Sequence, residues 1–526
     1  MNQLLIAQAP EFIAPTINWW PLLPTIVVLL GAVVGMLIEA FVPHGARRPT
    51  NVIWSMLVLA AAFLLATIQW ATAYTDPSVV GEFVDDTLTV SLQIVVTLIA
   101  FLAVLVMADR SAVFDGAFAG QPSDRPGSGE ESLTIAKAYQ RSEFFPLALF
   151  STGGMMLFPA TDSLLTMFVA LEVMSLPLYV LAASARWRRE MSQEAAVKYF
   201  ILGSFSAAFF LMGSALLYGY AGGSLRLPAI AAQMPYANNM DWLLIVGVFM
   251  VMVGLLFKVA VFPFHEWAPD VYTGAPTPVT GFMAAGVKIA AFGALLRFYV
   301  EVAGHLKWDF GLLFALMAAG TIIFGTVGGL VQKNMKRVLA YSSIAHAGFL
   351  MIAVLSLAAG SSGSMVFYLL AYGLATVGAF AAISLVRRSG PEGEVGPEAN
   401  SIHAWDGMIK RSPLLAISML IFLLSFAGIP LTSGFVGKFV VFAAGIQGGL
   451  GWLVAIALAA SVATAVFYFR IVVAMFMRKP REGYVAVQSE GLSSVVIAFT
   501  ALATVILGIF PGPVLSFLEQ TAIFVP

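Results

Sequence analysis

The sequence has 526 residues, 60% of them hydrophobic and only 10% charged, with a mean hydropathy of +0.92. A soluble chain carries about 25% charged residues, so this composition excludes a water-dissolved globular enzyme, and a net charge of −1 excludes a nucleic-acid binder or a polycationic membrane-surface protein. With no cysteine, the chain can form no disulfide, no thiolate-held iron–sulfur cluster and no cysteine nucleophile.

No Lys or Arg precedes the first apolar run, so residues 1–16 lack the basic region of a secretory signal. The first helix is therefore expected to remain in the mature protein. Runs close to the roughly 20 residues needed to cross about 30 Å of hydrocarbon follow at 19–41, 52–74, 87–108, 144–161, 163–183 and 197–220. Further runs lie at 242–264, 279–303, 310–331, 336–358, 364–386, 413–445, 451–476 and 492–517, giving about fourteen transmembrane helices in an all-α polytopic membrane protein. Two polar stretches interrupt them, 109–143 and 387–411; both are rich in Gly, Pro and charge and read as flexible loops without a core.

Basic residues fall in alternate loops: Arg47 and Arg48; Arg110, Arg125, Lys137 and Arg141; Arg186, Arg188 and Arg189; Lys333, Lys336 and Arg337; Arg387, Arg388, Lys410 and Arg411; Arg478, Lys479 and Arg481. The intervening loops carry Arg226, Lys307 and the acidic Glu82, Asp85 and Asp86. The positive-inside rule then places the basic loops in the cytoplasm and both termini on the non-cytoplasmic side.

The spans themselves contain charges that lipid disfavours, a lysine at the bilayer centre costing roughly 2.5–3.5 kcal/mol on insertion scales. In chain order, Glu172 (FVALEVMSL) is nearly ten residues from either end of its helix and needs a cation or a proton, while Lys198 stands where its side chain can snorkel to the interface. Lys258 (GLLFKVAVF) and Lys288 (AAGVKIAAF) sit well inside their spans. Between them, VFPFHEWAPDVYTGAPTPV carries Pro263, His265 and three further prolines, which break the helix; a break at membrane depth is tolerated against protein or a hydrated cavity. His346 lies in YSSIAHAGFL and has a side chain that titrates near neutrality. A second break, FAGIPLTSGFVGKFVVF, is expected at Pro430 and Gly434, with Lys438 after it. Arg297 and Arg470, near helix ends and unable to release a proton, read as structural. Two broken helices, each with a lysine, suggest a transporter built from repeats, and passage of protons or cations is the chemistry these residues support.

The segments ALEVMSLPLYVL, FKVAVFPFHEWAPDVYTGAPTPVTGFMAAGVKIAAF and KRVLAYSSIAHAGF resemble the antiporter-like N subunits of respiratory complex I, along essentially the whole chain. The sister L and M subunits typically show a His-Thr-Trp-Leu-Pro motif after the first break and a histidine on the next helix. Here the corresponding residues are His265-Glu266-Trp267-Ala268-Pro269 and Lys288. The L subunit extends into a long lateral helix, whereas this chain stops at Pro526, and M usually has a glutamate where Lys438 stands.

The resemblance implies a proton-translocating membrane-arm subunit of NADH:quinone oxidoreductase, a translocase, with no redox chemistry in this chain. It further implies two inverted five-helix repeats, 144–303 and 310–476, flanked by N-terminal helices in 1–108, the polar loop 109–143 and a last helix at 492–517. Glu172 would pair with Lys258, and Lys258, Lys288 and Lys438 would carry protons, with Lys198, His265 and His346 relaying or tuning them. No cofactor or metal is expected in this chain. NAD, FMN, iron–sulfur clusters and quinone are expected in partner subunits; the partners would be the M subunit, the small K and J subunits and the lipid of a bacterial inner membrane. The alternative reading is a subunit of a multisubunit cation/proton antiporter, which shares the fold and much of the charge pattern.

Overall fold

The computed structural model describes residues 17–73, 78–110, 116–118, 127–136, 142–235, 241–356, 361–390, 395–487 and 490–519. The expected location of the two chain ends, and the loop residues Arg125, Lys137 and Arg141, lie outside the described residues.

In chain order the helices are α1 (Leu23–Phe41), α2 (His44–Ala73), α3 (Thr87–Ala108), α4 (Gly129–Ala136), α5 (Phe144–Leu157), α6 (Leu164–Ala182), α7 (Arg189–Tyr220), α8 (Leu227–Gln233), α9 (Asp241–Val259) and α10 (Trp267–Gly274). They continue as α11 (Thr277–Phe282), α12 (Lys288–Glu301), α13 (Lys307–Val331), α14 (Met335–Ser356), α15 (Ser361–Ser384), α16 (Met408–Arg411), α17 (Pro413–Ala427), α18 (Ser433–Gln447), α19 (Gly451–Met477), α20 (Leu492–Ile509) and α21 (Gly512–Glu519). Twelve helical stretches among the described residues are long and apolar enough to cross a membrane. The shorter apolar stretch Phe144–Ala160 and the broken pair α17 and α18 occupy the two remaining positions where the hydropathy pattern calls for a span.

Helix ends follow local chemistry. Asp86 caps α3 by accepting from the Thr89 N–H at 2.7 Å, and Pro413 opens α17 at a position where its missing N–H is harmless. Arg470 on α19 donates to the carbonyls of Leu330, at 3.0 Å, and Gln332, closing the end of α13 where carbonyls lack helical partners.

Burial sorts the helices into layers. The span windows of Thr277–Glu301, Met335–Ser356 and Ser361–Ser384 are 94–100% buried, against 33% for those of α1, α2 and α20. The chain thus surrounds a central α11/α12, α14 and α15 with apolar helices that face outward. Trp20, Trp242, Trp308 and Trp452 are exposed at the starts of α1, α9, α13 and α19, the ends opposite the basic loops. Such a belt fits one membrane–water boundary.

Two expectations need correction. The polar stretch 387–411 is not structureless: β1 (Ser78–Val80) pairs with β2 (Phe83–Asp85) on one face, and on the basic face β3 (Val386–Ser389) stands between β4 (Val395–Glu398) and β5 (Tyr484–Ala486), all antiparallel. The sheet forms because β5, far along the chain, supplies a partner for a segment that lacks a core of its own. Lys336, counted among the loop residues, is buried in the first turn of α14 with 1% exposure.

The second break also differs in detail. Gly428 and Leu431, at φ +79° and +71°, turn the chain, and Pro430 lies between α17 and α18, but Gly434 belongs to α18. A Cβ there would stand 1.9 Å from the Ser425 carbonyl oxygen, so the glycine permits close approach of the two half-helices. Gly434→Ala is expected to push α18 off α17 and to lower the amount of folded protein in membranes several-fold, read by immunoblot; an unchanged amount would show that the contact has slack.

Candidate functional site

The first break starts where α9 ends. Ala260 adopts φ +60°, the Trp267 indole donates to the Phe257 carbonyl at 3.0 Å, and the Phe262 N–H donates to Thr321 Oγ1 at 2.8 Å. Side chains thereby satisfy backbone groups that a continuous helix would have paired. Lys258, the penultimate residue of α9, is 2% exposed and its Nζ donates to Ser175 Oγ at 2.8 Å. The ammonium sits 5.3 Å from the Tyr199 ring centre, 5.7 Å from that of Tyr179 and 6.0 Å from that of Phe257, where ring quadrupoles favour a cation.

The anticipated contact between Glu172 and Lys258 is not formed. Glu172 lies one turn before Ser175 on α6, within electrostatic reach of Lys258, yet no ion pair of 4 Å or less joins them. Ser175 occupies the position of direct contact because i and i+3 share a helix face.

Lys288 opens α12 directly after a π-helical stretch at Met283–Val287, a local widening frequent at functional sites. Its Nζ, 3% exposed as a residue, donates to both the carbonyl and the hydroxyl of Ser343 at 2.5 Å and lies 5.3 Å from the Tyr372 ring centre. One turn along α14 from Ser343, His346 bridges two tyrosines: its Nδ1 is 2.6 Å from Tyr368 Oη and its Nε2 3.5 Å from Tyr468 Oη. Tyr468 Oη is in turn 2.5 Å from Ser342 Oγ. His346 lies within electrostatic reach of both Lys288 and Lys438.

Lys438 follows the second break. Its Nζ donates to the carbonyls of Phe426 at 2.9 Å and Ala427 at 3.0 Å, and to Ser461 Oγ at 2.8 Å, with the Phe349 ring centre 5.1 Å away. The N–H groups of Gly428 and Ile429 take the carbonyls of Leu424 and Ser425. All four terminal carbonyls of α17 are thus paired, two of them by the lysine at the negative end of the helix dipole.

The remaining candidates separate from this line. His265 is 9% exposed beside the Phe262 and Phe324 rings, and its Nδ1 has no partner among the described residues. Lys198 has a 42% exposed side chain and bridges Glu194 at 2.6 Å and Asp270 at 2.8 Å, while Arg337 reaches the other Asp270 oxygen at 3.1 Å. Arg297 is tied to Asp86 at 3.0 and 3.1 Å, to Thr89 Oγ1 at 2.9 Å and to the Pro159 carbonyl at 2.6 Å.

Reading the sequence missed Ser175, Ser343, Ser461, Tyr368 and Tyr468, along with the buried partner Asp86. The serine three residues after Glu172 and the one three before His346 were signals available in the i, i+3 spacing. Nothing local marks Tyr468, which meets a histidine 122 residues away.

Chemically, each titratable side chain meets hydroxyls: Ser175 at Lys258, Ser343 at Lys288, Ser461 at Lys438, and Tyr368 and Tyr468 at His346. A hydroxyl both donates and accepts, and an imidazole can accept at one nitrogen while donating from the other, so each of these contacts suits a group that gains or loses a proton. Ser461→Ala would remove the hydroxyl from Lys438 while leaving its two carbonyl acceptors. It is expected to slow proton transfer two- to fivefold at unchanged assembly, measured as initial acidification of vesicles, and an unchanged rate would make that hydroxyl incidental.

Residues 161–464 match the family described as NADH:quinone oxidoreductase/Mrp antiporter, TM. The NADH-quinone oxidoreductase subunit N of Beutenbergia cavernae is 48% identical over 530 residues, covering 98% of this chain and 100% of that protein. The subunit N of Mycobacterium bovis is 44% identical, covering 97% of this chain and 98% of that protein. Among solved structures, a chain of respiratory complex I from Thermus thermophilus is 33% identical with a TM-score of 0.75, covering 94% of this chain and 99% of that one. A chain of the Mrp complex from Dietzia sp. reaches a TM-score of 0.76 at 20% identity, with 95% and 97% covered, which is a likeness of fold.

Proposed function

Because the chain belongs to the NADH-quinone oxidoreductase subunit N family, we propose that it moves protons along Glu172, Lys258, Lys288, His346 and Lys438, driven by electron transfer elsewhere in the complex. The observation that carries this reading is threefold repetition. Lys258, Lys288 and Lys438 are each buried, each make no ion pair among the described residues, and each donate to a serine hydroxyl at 2.8, 2.5 and 2.8 Å. Buried charges normally pair with an opposite charge, whereas an alcohol leaves a lysine free to exchange its proton.

In this reading Glu172 approaches Lys258 and holds its proton, then withdraws, and the proton passes by water and Lys288, with His346 between, to Lys438. Each charge moved works against roughly 2.3 kcal/mol per 100 mV of membrane potential, so the drive must be external. NAD, FMN, iron–sulfur clusters and quinone would reside in partner subunits, and the neighbours would be the M, K and J subunits. The repeats would be 144–303 and 310–476, with Lys258 before its break and Lys438 after its own. The basic loops would face the cytoplasm across a bacterial inner membrane. His265 would tune the first break, and Lys198 would fix Asp270 at the basic face. A cation/proton antiporter subunit remains the alternative reading, but its support is likeness of fold, while the subunit N relatives match at nearly full length.

The test is Lys438→Met in the assembled complex. Proton translocation per NADH oxidised is expected to fall at least twofold with assembly unchanged; a parental ratio would remove Lys438 from the path.

A further inference from the structure

Lys336 takes no part in the line described above, yet it is as deeply buried as the residues that do. Its Nζ donates to the Ala275 carbonyl at 2.6 Å, at the turn between α10 and α11, and this is its hydrogen bond among the described residues. An ammonium has three donors, and Lys336 lines a cavity of about 30 Å³ together with Arg188, Arg387, Glu398 and Asn400. That volume holds a water but not a phosphate or an organic ligand.

Two other buried groups want a partner there. Asn400, 4% exposed, leaves its Oδ1 without one, and so does the Trp187 indole N–H, which also lines the cavity. An acceptor, a donor and a buried ammonium around a water-sized space are what an ordered water requires. Above the cavity Glu398, half-buried on β4, accepts from Thr277 Oγ1 through one carboxylate oxygen. It also lines a second cavity that opens toward Asp109 and Arg110. The charged groups facing Glu398 are thus Lys336, Arg188 and Arg387, with Asp109 and Arg110 beyond.

Below the cavity, α14 leads directly to the line of lysines. Ser343, the acceptor for Lys288, is seven residues after Lys336, which places it on the same helix face and about 10 Å deeper. Tyr272 and Tyr372 lie beside Ser343, so hydroxyls flank the interval.

We propose that Glu398 and Lys336, with the small cavity between them, form the port that passes protons from the basic face to Lys288. This rests on the lysine line proposed above. A proton from solvent binds the Glu398 carboxylate. Once Lys288 has passed its own proton on and is neutral, Lys336 gives its proton past Tyr272 to Lys288, and the neutral amine of Lys336 is then reprotonated from Glu398 across the cavity water, leaving Glu398 ionised to bind the next proton. Arg188 holds β4 in place by donating to the Glu398 backbone carbonyl at 2.5 Å, keeping the carboxylate over the cavity.

The experiment compares Glu398→Gln, Glu398→Asp, Lys336→Met and Lys288→Met in complexes reconstituted into vesicles, with proton translocation normalised to assembled complex. Glu398→Gln is expected to slow translocation at least fivefold at pH 8 on the basic face. The deficit should close as that face is brought to pH 6, because direct capture of protons from water rises tenfold per pH unit. Glu398→Asp should recover most of the rate, and Lys336→Met should be slow at every pH. If Glu398→Gln and Lys336→Met translocate at the parental rate while Lys288→Met does not, the port is wrong and the lysine line stands. Glu398→Asp as slow as Glu398→Gln, or a deficit independent of pH, would mean that the side chain only supports the sheet, and would also overturn the port. A parental rate in Lys288→Met would remove the line itself, and the port with it.

Discussion

Replacing Arg297 by Met is expected to lower the amount of assembled complex at least fivefold, the largest structural effect anticipated for a residue outside the proton line. Arg297 and Asp86 are 1% and 0% exposed and form a buried pair supported by Thr89 and the Pro159 carbonyl. Removing one member of such a pair leaves the other charge buried and unpaired, a loss of about 3–5 kcal/mol. That is comparable to a large part of a domain's whole stability of about 5–15 kcal/mol. The pair ties the start of α3 to the far end of α12, the helix that opens with Lys288. Asp86→Asn should be similarly damaging, and the double variant Asp86→Asn with Arg297→Met less damaging than the two single effects added together, since no charge is then stranded. Native-gel immunoblots of membranes read all three, and single variants that assemble normally would show that the pair is dispensable.

Replacing Lys258 is expected to have the largest functional effect. Lys258→Met should reduce coupled NADH oxidation and proton translocation at least fivefold at parental assembly, since it is the first lysine of the line and stands beside the first break. Lys258→Arg is the more discriminating variant. It keeps the positive charge, the donors and the attraction to the Tyr199 and Tyr179 rings, but a guanidinium does not release its proton in a protein. A structural cation would be rescued by Arg; a proton carrier would not. Glu172→Gln should give an intermediate loss, because Glu172 acts on Lys258 across a gap rather than through a formed ion pair. Parental translocation in Lys258→Arg would contradict the assignment.

Much of this architecture is legible in the sequence because lipid is a strict solvent. Every span must satisfy its backbone internally, so long apolar runs and their interruptions at Pro263 and Pro430 mark helices and breaks without reference to neighbours. For the same reason Lys258, Lys288 and Lys438 stand out: a charge within an apolar run is conspicuous however the helices pack. What could not be read depends on contacts between distant segments. Lys336 looks like an ordinary loop cation beside Lys333 and Arg337, and only the approach of the α10–α11 turn and β4 buries it. Asp86 looks like one of three exposed carboxylates and becomes the partner of a residue 211 positions away. The serines that accept hydrogen bonds from the three lysines are common in membrane helices, and their place follows from position rather than from type. Glu172 shows the converse: the sequence suggests a pair with Lys258, and packing places Ser175 in the contact.

The most direct test of the central claim is the number of protons translocated per NADH oxidised by Lys288→Met complexes in sealed vesicles, measured beside the parental complex at matched subunit content. Lys288 lies at the middle of the line, in the most buried span and remote from solvent on either side. Its loss should interrupt transfer without disturbing the redox centres of other subunits. The account predicts a ratio reduced at least twofold while NADH oxidation with an artificial acceptor stays at the parental level. A parental ratio in a fully assembled complex would contradict it, and would leave the buried lysines as structural cations in a chain that does not itself carry protons.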